Sequence, residues 1–296
     1  MTSERRTRST TPGPTVETGA GALTITSPAN DRVKLLRGLS GAAARRRAGM
    51  TLVEGITLVK EALDSGASFV TAARDEESIG SARVTELVDL LRERGIDVWT
   101  ATHRIFKGMS QTETPQGILA AIDIPDNRED ATLRDVIAGA RASGDALVVL
   151  MDGIQDPGNA GAIVRSGDAF GATCVLFGAP SADPYNPKVL RASMGSVFHL
   201  PCLEVKDAPA VADSLIAAGF RLFYGDAKAS IPVHLADLSG LAAIVVGNEA
   251  AGVSEALKER GTPIAVPIHG MAESLNVAMA LTAMLYEARR QRSVAL

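Results

Sequence analysis

The sequence predicts an α/β fold in which a parallel sheet makes up the C-terminal half and a smaller α/β unit precedes it. Three observations carry this prediction. The chain of 296 residues is long enough for about two domains. A stretch rich in Asp, Arg, Ala and Gly at residues 125–145 separates two halves of different pattern, and continuous apolar strands alternate with helical patterns from residue 146 onward. Strands that are apolar throughout are typical of a parallel sheet covered on both faces.

The N-terminal half divides into a tail, a domain and a linker. Residues 1–24 mix Ser, Thr, Gly, Pro and charge without apolar periodicity, so we expect a disordered tail. Residues 25–124 are expected to form the first domain, and residues 125–145 a linker that contains a helix at Leu133–Arg141. The elements predicted in the first domain are helices at Asp31–Leu39, Ile56–Leu63 and Val84–Arg94, and strands at Phe69–Ala73, Ile96–Thr100 and Gln116–Ile122.

Residues 146–296 are predicted to form the second domain, in which strand and helix patterns alternate more strictly. The predicted strands are 147–153, 173–178, 221–224, 242–246 and 263–266, and the predicted helices are 159–170, 186–192, 208–217 and 274–290. The last helix is apolar almost all round, so it must be buried in the core or against a second subunit.

Composition excludes several classes of protein. The formal net charge is −4, but residues 1–48 carry nine basic and three acidic side chains, so any binding of nucleic acid must be local. Only two cysteines and four histidines occur, without metal-ligand spacing, which argues against a disulfide framework and a metal site. No apolar run approaches the roughly 20 residues that span a bilayer, and we expect a cytoplasmic protein.

Polar side chains and glycines come together in three loops that follow predicted strands of the second domain. The loops are 152–172, 245–255 and 266–280, and their polar members are Asn159, Arg165, Glu249, Ser274 and Asn276. Ligands of open parallel sheets bind beyond the carboxyl ends of the strands, where these loops lie. Each residue also has a purely structural interpretation: Asn159 and Ser274 as helix caps, Asn276 as the alternative start of the last helix, Arg165 on a helix surface and Glu249 in an exposed turn. No dinucleotide or P-loop glycine pattern is present.

The same three loops resemble a known family. The segments NAGAIVR at 159–165, GNEAAG at 247–252 and SLN at 274–276 are similar, in this order, to the motifs of the SpoU (TrmH-like) branch of the SPOUT methyltransferases. That family methylates ribose 2′-hydroxyls in ribosomal and transfer RNA. Residues 29–39 and 52–63 resemble the family's ribosomal-protein-like substrate-binding domain, and residues 184–201 are similar to members that act on ribosomal RNA.

The resemblance implies a fold and a cofactor. The C-terminal domain would be an α/β knot, in which residues from about 224 to 296 form a deep trefoil knot. The cofactor would be S-adenosyl-L-methionine, contacted through the backbone of Gly247, Val266 and Leu275. Family members usually have Ile-Pro-Met where this chain has Val-Pro-Ile at 266–268, a change that alters the wall beside the adenine rather than a backbone contact.

The resemblance also implies catalytic roles. Arg165 matches the family's catalytic arginine, and Asn159, Glu249, Ser274 and Asn276 match its polar shell. Because a guanidinium stays protonated in ordinary surroundings, we expect Arg165 to grip the phosphate next to the target ribose while that phosphate or a water takes the hydroxyl proton. Direct proton acceptance by Arg165 is the alternative.

Two kinds of partner are expected. Family members pair through their knotted domains, and the apolar helix over 275–286 agrees with a homodimer, although a core helix explains it equally well. The basic N-terminal segment is expected to hold RNA phosphates through Lys34, Arg45, Arg46 and Arg47, because cations near a polyanion gain from counterion release. A solvated helix face is the alternative for this cluster.

The function that we predict is methylation of a ribose 2′-hydroxyl, with ribosomal RNA as the expected substrate and transfer RNA as the alternative. Two other classes are weighed against it: a non-catalytic RNA-binding or assembly protein of the same fold, and an unknotted α/β enzyme that acts on a small metabolite. The sequence leaves open the target nucleotide, and whether the modification serves ribosome maturation or antibiotic resistance.

Overall fold

The computed structural model describes residues 15–18, 22–125 and 129–294. The chain divides between Asp123 and Ile124 into two compact units. None of the helices in the described ranges has the length and apolar content needed to cross a membrane.

The first unit is a mixed sheet with helices. Its described strands are β1 (Thr15–Thr18), β2 (Ala22–Ile25), β3 (Met50–Glu54), β4 (Phe69–Asp75), β5 (Val98–Ala101) and β6 (Ile118–Asp123), in the order β1-β2-β5-β4-β6-β3. Its described helices are α1 (Asp31–Gly38), α2 (Ala42–Ala48), α3 (Ile56–Asp64), α4 (Ala82–Glu93) and α5 (His103–Lys107). The core side chains include Ile25, Leu36, Trp99 and Phe106.

The N-terminal segment corrects part of the sequence prediction. Within the residues expected to be disordered, β1 and β2 pair antiparallel, and β2 pairs parallel with β5 through Thr24 and Ile25. Backbone pairing does not depend on side-chain type, and the buried Ile25 anchors the end of β2, so the polar composition misled the prediction. Residues 1–14 and 19–21 lie outside the described residues. The short elements α2, β3 and α5 were also not predicted.

The second unit is built on a parallel sheet. Its described strands are β7 (Ala146–Asp152), β8 (Cys174–Gly178), β9 (Cys202–Val205), β10 (Arg221–Gly225), β11 (Leu241–Gly247) and β12 (Thr262–Ile264), in the order β12-β10-β11-β7-β8-β9. All of their pairings are parallel. Its described helices are α6 (Glu129–Ser143), α7 (Pro157–Ala169), α8 (Pro187–Ala192), α9 (Ala208–Ala217), α10 (Glu255–Lys258) and α11 (Val277–Val294). The predicted parallel α/β architecture is confirmed.

The strand order reverses direction between β7 and β11. From β7 the chain moves outward through β8 to β9, and then crosses to β10 on the other side of β11. The two central strands end level with each other, since Asp152 pairs with Gly247. Loops leave such a point in opposite directions, which opens a binding crevice at the carboxyl edge of the sheet.

Helix α6 shows that the predicted linker is largely part of the second unit. It is longer than the expected helix at Leu133–Arg141, and it packs Leu133 and Ala140 into the core of this unit. Arg141 also donates to the carbonyl oxygen of Ala217, at the end of α9, at 3.0 Å. Burial of these apolar side chains holds the helix against the sheet.

Helix α11 begins at Val277, so of the two predicted starts, Ser274 and Asn276, the second is confirmed. The side-chain oxygen of Asn276 accepts from the backbone N–H groups of Ala278 at 2.9 Å and Met279 at 3.3 Å, so Asn276 caps the helix. Near the other end, Arg292 donates to Asp145 at 3.0 Å and to the carbonyl oxygen of Gly240 at 2.9 Å. Arg292 thereby ties the C-terminal end of α11 to the starts of β7 and β11, while the knot implied by the resemblance stays a prediction.

Candidate functional site

A cavity of about 750 Å³ lies beyond the carboxyl ends of β10 and β11. This volume is in the range of pockets that enclose a ligand of nucleoside size or larger. Its lining comes from three segments and Lys258: 225–228 after β10, 246–253 at the end of β11, and residues from 266 to 284 that lead into α11. Gly247, Val266 and Leu275, which were predicted to contact a cofactor, all line it.

The end of β11 needs glycine because the chain folds back tightly on itself. A Cβ atom on Gly247 would lie 2.2 Å from the carbonyl carbon of Gly252. Asn248 holds the intervening loop, since its side-chain oxygen accepts from the N–H groups of Ala250 and Ala251 and its amide donates to the carbonyl oxygen of Gly153 at 3.0 Å. The loop after β11 is thereby tied to the loop after β7.

The side chain of Asn159 joins the three motif loops. Its amide donates to Oε1 of Glu249 at 2.6 Å, and its carbonyl oxygen accepts from the amide of Asn276 at 2.9 Å. The predicted convergence of the three loops is therefore observed. Asn159 is not the helix cap that its position allowed, because Asp156 caps α7 by accepting from the Asn159 backbone N–H at 2.8 Å. The Asn159 side chain is thus left for the polar network.

Ser274 and Glu249 share the cavity wall and are exposed. Ser274 does not begin α11, so its hydroxyl is not used as a helix cap. Together with Asn276 these two residues place a carboxylate, a hydroxyl and an amide on one rim of the cavity. Such a rim offers several acceptors and donors to the hydroxyl groups of a ligand.

Arg165 lies on the same helix as Asn159 but points elsewhere. It is six residues further along α7, which turns its side chain about 240° around the helix axis and moves it about 9 Å along it. Its side chain is exposed, it does not line the cavity, and the described residues give it no hydrogen bond or ion pair. The guanidinium is therefore available to an external group.

Helix α7 is held firmly on two sides. A Cβ on Gly161 would lie 2.5 Å from Cβ of Ala192, so α7 approaches α8 closely at that glycine. On another side, the hydroxyls of Ser166 and Thr282 lie 2.6 Å apart and connect α7 to α11. The helix therefore presents Arg165 and Asn159 from a rigid support.

The same α7–α11 face leaves apolar side chains uncovered. Met279 is 66% exposed and Tyr286 is 60% exposed. The ring of Tyr286 meets Phe170, just beyond α7, edge to face at a centroid distance of 6.0 Å. The predicted burial of this helix is thus only partial within one chain, since these large side chains contact solvent.

The predicted basic cluster of the first unit needs one correction. Arg45 is only 2% exposed, and its guanidinium donates to the carbonyl oxygens of Leu39 at 3.3 Å and Ser40 at 3.1 Å. It therefore secures the turn between α1 and α2 instead of facing a ligand. Arg46 and Arg47 are exposed on α2, and Lys34 is exposed on α1, where it pairs with Asp31 at 3.0 Å.

Three charged residues of the cavity were missed by the sequence prediction. Asp226 and Lys228 follow β10, and Lys258 ends α10. The place of Asp226 directly after a parallel strand was a usable signal, because side chains there reach the binding edge of the sheet. Within the described residues, no three His, Cys, Asp or Glu side chains form a group suited to a metal ion.

Two family models match the chain. One is the SpoU rRNA Methylase family, over residues 146–286, and the other is the MRM3-like substrate binding domain, over residues 30–120. The first covers the parallel sheet with its cavity. The second covers most of the described part of the first unit.

The similarity to known proteins extends over nearly the whole chain. The 23S rRNA (guanosine(2553)-2′-O)-methyltransferase RlmP of Bacillus subtilis is 36% identical over 267 residues, which cover 90% of this chain and 98% of that protein. A 23S rRNA (uridine(2479)-2′-O)-methyltransferase of Streptomyces viridochromogenes is 33% identical over 84% of this chain and 85% of its own. The crystal structure of the SpoU methyltransferase AviRb from the same organism, in complex with AdoMet, superposes with a TM-score of 0.76 at 31% identity. It covers 90% of this chain and 100% of that one.

Proposed function

This chain belongs to the SpoU rRNA methylase family, and on that premise we propose that it methylates a ribose 2′-hydroxyl of 23S ribosomal RNA through the Asn159 network and Arg165. Its activity as an RNA 2′-O-methyltransferase that uses S-adenosylmethionine follows from the family. The choice of 23S RNA is supported by the relatives from Bacillus subtilis and Streptomyces viridochromogenes, both of which are named for that substrate.

The observation that carries the proposed roles is the pair of hydrogen bonds made by the Asn159 side chain. They bring Glu249 and Asn276, which come from different loops, to one rim of the cavity. A reaction at a ribose hydroxyl needs hydrogen-bonding groups held in fixed positions, because orientation supplies much of the rate. The network provides such groups at the cavity, and its hydrogen bonds fix the orientation of the Asn159, Glu249 and Asn276 side chains.

The backbone and the apolar side chains that line the cavity fit S-adenosylmethionine. Gly247 brings the main chain of 247–253 so close that a Cβ would collide with it, and apolar Val266 and Leu275 complete a wall suited to a flat base. We therefore assign Gly247, Val266 and Leu275 to binding the adenosine part of S-adenosylmethionine. When bound, this cofactor supplies an electrophilic methyl group on a sulfonium.

Arg165 is assigned to the phosphate beside the target ribose. Its exposed guanidinium has no partner among the described residues, and its planar fork matches two phosphate oxygens. A grip on the phosphate orients the 2′-hydroxyl for in-line attack on the methyl group, and the phosphate or a water takes the proton. Asn159, Glu249, Ser274 and Asn276 hold the ribose from the cavity side.

We propose that a second copy of the chain binds to the exposed face of α7 and α11. Met279 and Tyr286 expose large apolar surfaces on the helix that frames the cavity, and contiguous apolar exposure marks interaction sites. Arg165 is exposed and does not line the cavity of its own chain. A homodimer through this face would cover the apolar side chains and bring Arg165 towards the cavity of the other subunit.

The first unit is assigned to the RNA. Arg46, Arg47 and Lys34 are exposed cations within its matched substrate-binding region, whereas Arg45 is excluded by its burial. Phosphate contacts of this kind position a nucleic acid without reading its sequence. The second unit then selects the ribose.

The function is tested by methyl transfer from labelled S-adenosylmethionine to ribosomal RNA, followed by mapping of 2′-O-methyl positions in 23S RNA from cells with and without the chain. We expect label in 23S RNA and the loss of one methylated ribose in the deletion strain. Label confined to transfer RNA would refute the assigned substrate. Cofactor binding without any transfer would identify a non-catalytic RNA-binding protein, and a labelled small metabolite would identify a different enzyme.

A further inference from the structure

Asp226 and Lys228 place opposite charges on one short turn at the cavity wall. The turn follows β10, and its backbone is fixed because Asp226 N–H donates to the carbonyl oxygen of Ile264 at 3.0 Å. Oδ1 of Asp226 accepts from the backbone N–H of Lys228 at 2.8 Å, which holds the carboxylate in place. Both residues line the cavity.

The other charged side chains of the cavity are already engaged. Lys258 Nζ pairs with Glu255 at 2.7 Å, and Glu249 accepts from Asn159 at 2.6 Å. In contrast, the described residues offer no hydrogen-bond partner to Oδ2 of Asp226 or to the Lys228 ammonium. One carboxylate oxygen and one ammonium therefore remain available to a ligand in the cavity.

We propose that Asp226 and Lys228 bind the amino-acid end of the cofactor, Asp226 accepting from its α-ammonium and Lys228 donating to its α-carboxylate. This inference rests on the use of S-adenosylmethionine by the enzyme. The cofactor carries two positive charges, on the sulfonium and the ammonium, and one negative charge. Asp226 offers a carboxylate oxygen to the α-ammonium and Lys228 an ammonium to the α-carboxylate, while Glu249 and Lys258 keep their own partners.

The test compares ligands with and without the amino-acid end. Calorimetry measures the Kd of S-adenosylhomocysteine, and competition with labelled S-adenosylmethionine gives the inhibition constant of 5′-methylthioadenosine, which lacks that end. Asp226→Asn keeps the oxygen that accepts from Lys228 N–H, so the turn is retained while the charge is removed. We expect Asp226→Asn to weaken S-adenosylhomocysteine binding about tenfold or more and methylthioadenosine binding less than about twofold.

Lys228→Gln provides the complementary arm. It is expected to weaken S-adenosylhomocysteine about tenfold but to leave the decarboxylated analogue, which keeps only the amine, nearly unchanged. Glu259→Gln is the matched control, because it removes a carboxylate of the same unit that does not line the cavity. We expect that control to change no affinity.

Equal losses for S-adenosylhomocysteine and methylthioadenosine would overturn the proposal, because they would place Asp226 on the adenosine part. Unchanged affinity for both ligands in Asp226→Asn would also overturn it. Failure of the wild-type chain to bind S-adenosylhomocysteine would instead reject the use of the cofactor, so the two failures are distinguishable.

Discussion

The amide of Asn159 donates to the carboxylate of Glu249 at 2.6 Å, although 90 residues of chain separate them. One residue near the start of α7 is thereby joined to the loop after β11. The same side chain accepts from Asn276 at the start of α11. A single amide thus fixes the relative positions of three loops that leave different parts of the sheet.

Removing the Asn159 side chain should uncouple these loops. We expect Asn159→Ala to lower kcat at least about tenfold and the free energy of unfolding by about 1–2 kcal/mol, because two hydrogen bonds are removed. Asp156→Ala is the control, since it removes the cap of α7, which accepts from the Asn159 backbone N–H, and costs about 1 kcal/mol while every side chain of the network is kept. Equal activity losses in the two variants would show that helix stability alone matters. Single-turnover kinetics and urea denaturation provide the measurements.

Arg165→Ala tests the assigned phosphate contact. The variant should lose methyl transfer by about 100-fold or more, as does removal of a group that stabilises a transition state. Its affinity for S-adenosylmethionine should stay within about threefold, because Arg165 does not line the cavity. Arg165→Lys keeps the charge without the planar fork and should recover only part of the rate. Near-normal turnover of Arg165→Ala would refute the role.

The proposed exchange of Arg165 between subunits predicts complementation. Arg165→Ala and Asn276→Ala should each be inactive alone, and their mixture after subunit exchange should regain activity, because one of the two sites in a mixed dimer then has both residues. A site built within one chain would stay inactive in the mixture. Activity of co-purified mixed dimers, carrying different tags, is the measurement.

Met279→Asp tests the interface itself. A carboxylate on this exposed apolar face should cause dimer dissociation in analytical ultracentrifugation, since a charge at an interface core is costly to desolvate. Met271→Asp is the control, because Met271 is fully exposed and lies outside α11. A Met279→Asp protein that still sediments as a dimer would remove this face from the interface.

In the basic cluster, substitution of Arg46 and Arg47 should affect RNA binding, whereas substitution of Arg45 should affect stability. Arg46→Gln combined with Arg47→Gln should weaken RNA binding and lower the salt slope by about 0.7–0.9 for each RNA phosphate that the variant no longer neutralises. Arg45→Gln should instead lower the thermal midpoint, since it removes the donor to the carbonyl oxygens of Leu39 and Ser40. Filter binding over a salt series and calorimetry separate the two effects. An unchanged salt slope in the double variant would show that Arg46 and Arg47 do not contact RNA and that this face of α2 is only solvated.

The two cysteines should be inert in the native protein. Burial raises the pKa of the Cys174 thiol to about 12 and also raises the pKa of Cys202. Since only the thiolate reacts, neither should be modified by a disulfide reagent at about pH 8 until the chain unfolds. Both should react in urea. Rapid labelling under native conditions would contradict the burial of the two strands β8 and β9.

Much of this protein followed from local patterns in its sequence. Apolar runs and helical periods identified most of the parallel sheet and its helices, because burial of a continuous strand leaves an unbroken apolar segment. Glycines next to polar residues after the strands located the three loops, and the resemblance of those loops named the family. The tight return at Gly247 was also visible, as a glycine that directly follows an apolar strand.

Only the tertiary structure decided which way individual side chains point. Arg45 is buried whereas Arg46 is exposed. The Asn159 side chain, predicted as a helix cap, instead bonds to Glu249 in another loop, and Asp226 lines the cavity. The antiparallel pair of β1 and β2 likewise joins the sheet through the backbone pairing of β2 with β5, which its composition does not encode. The physical reason is that these outcomes depend on partners distant in sequence. A local pattern sets the helix or strand, but the partner across the fold determines what each polar group does.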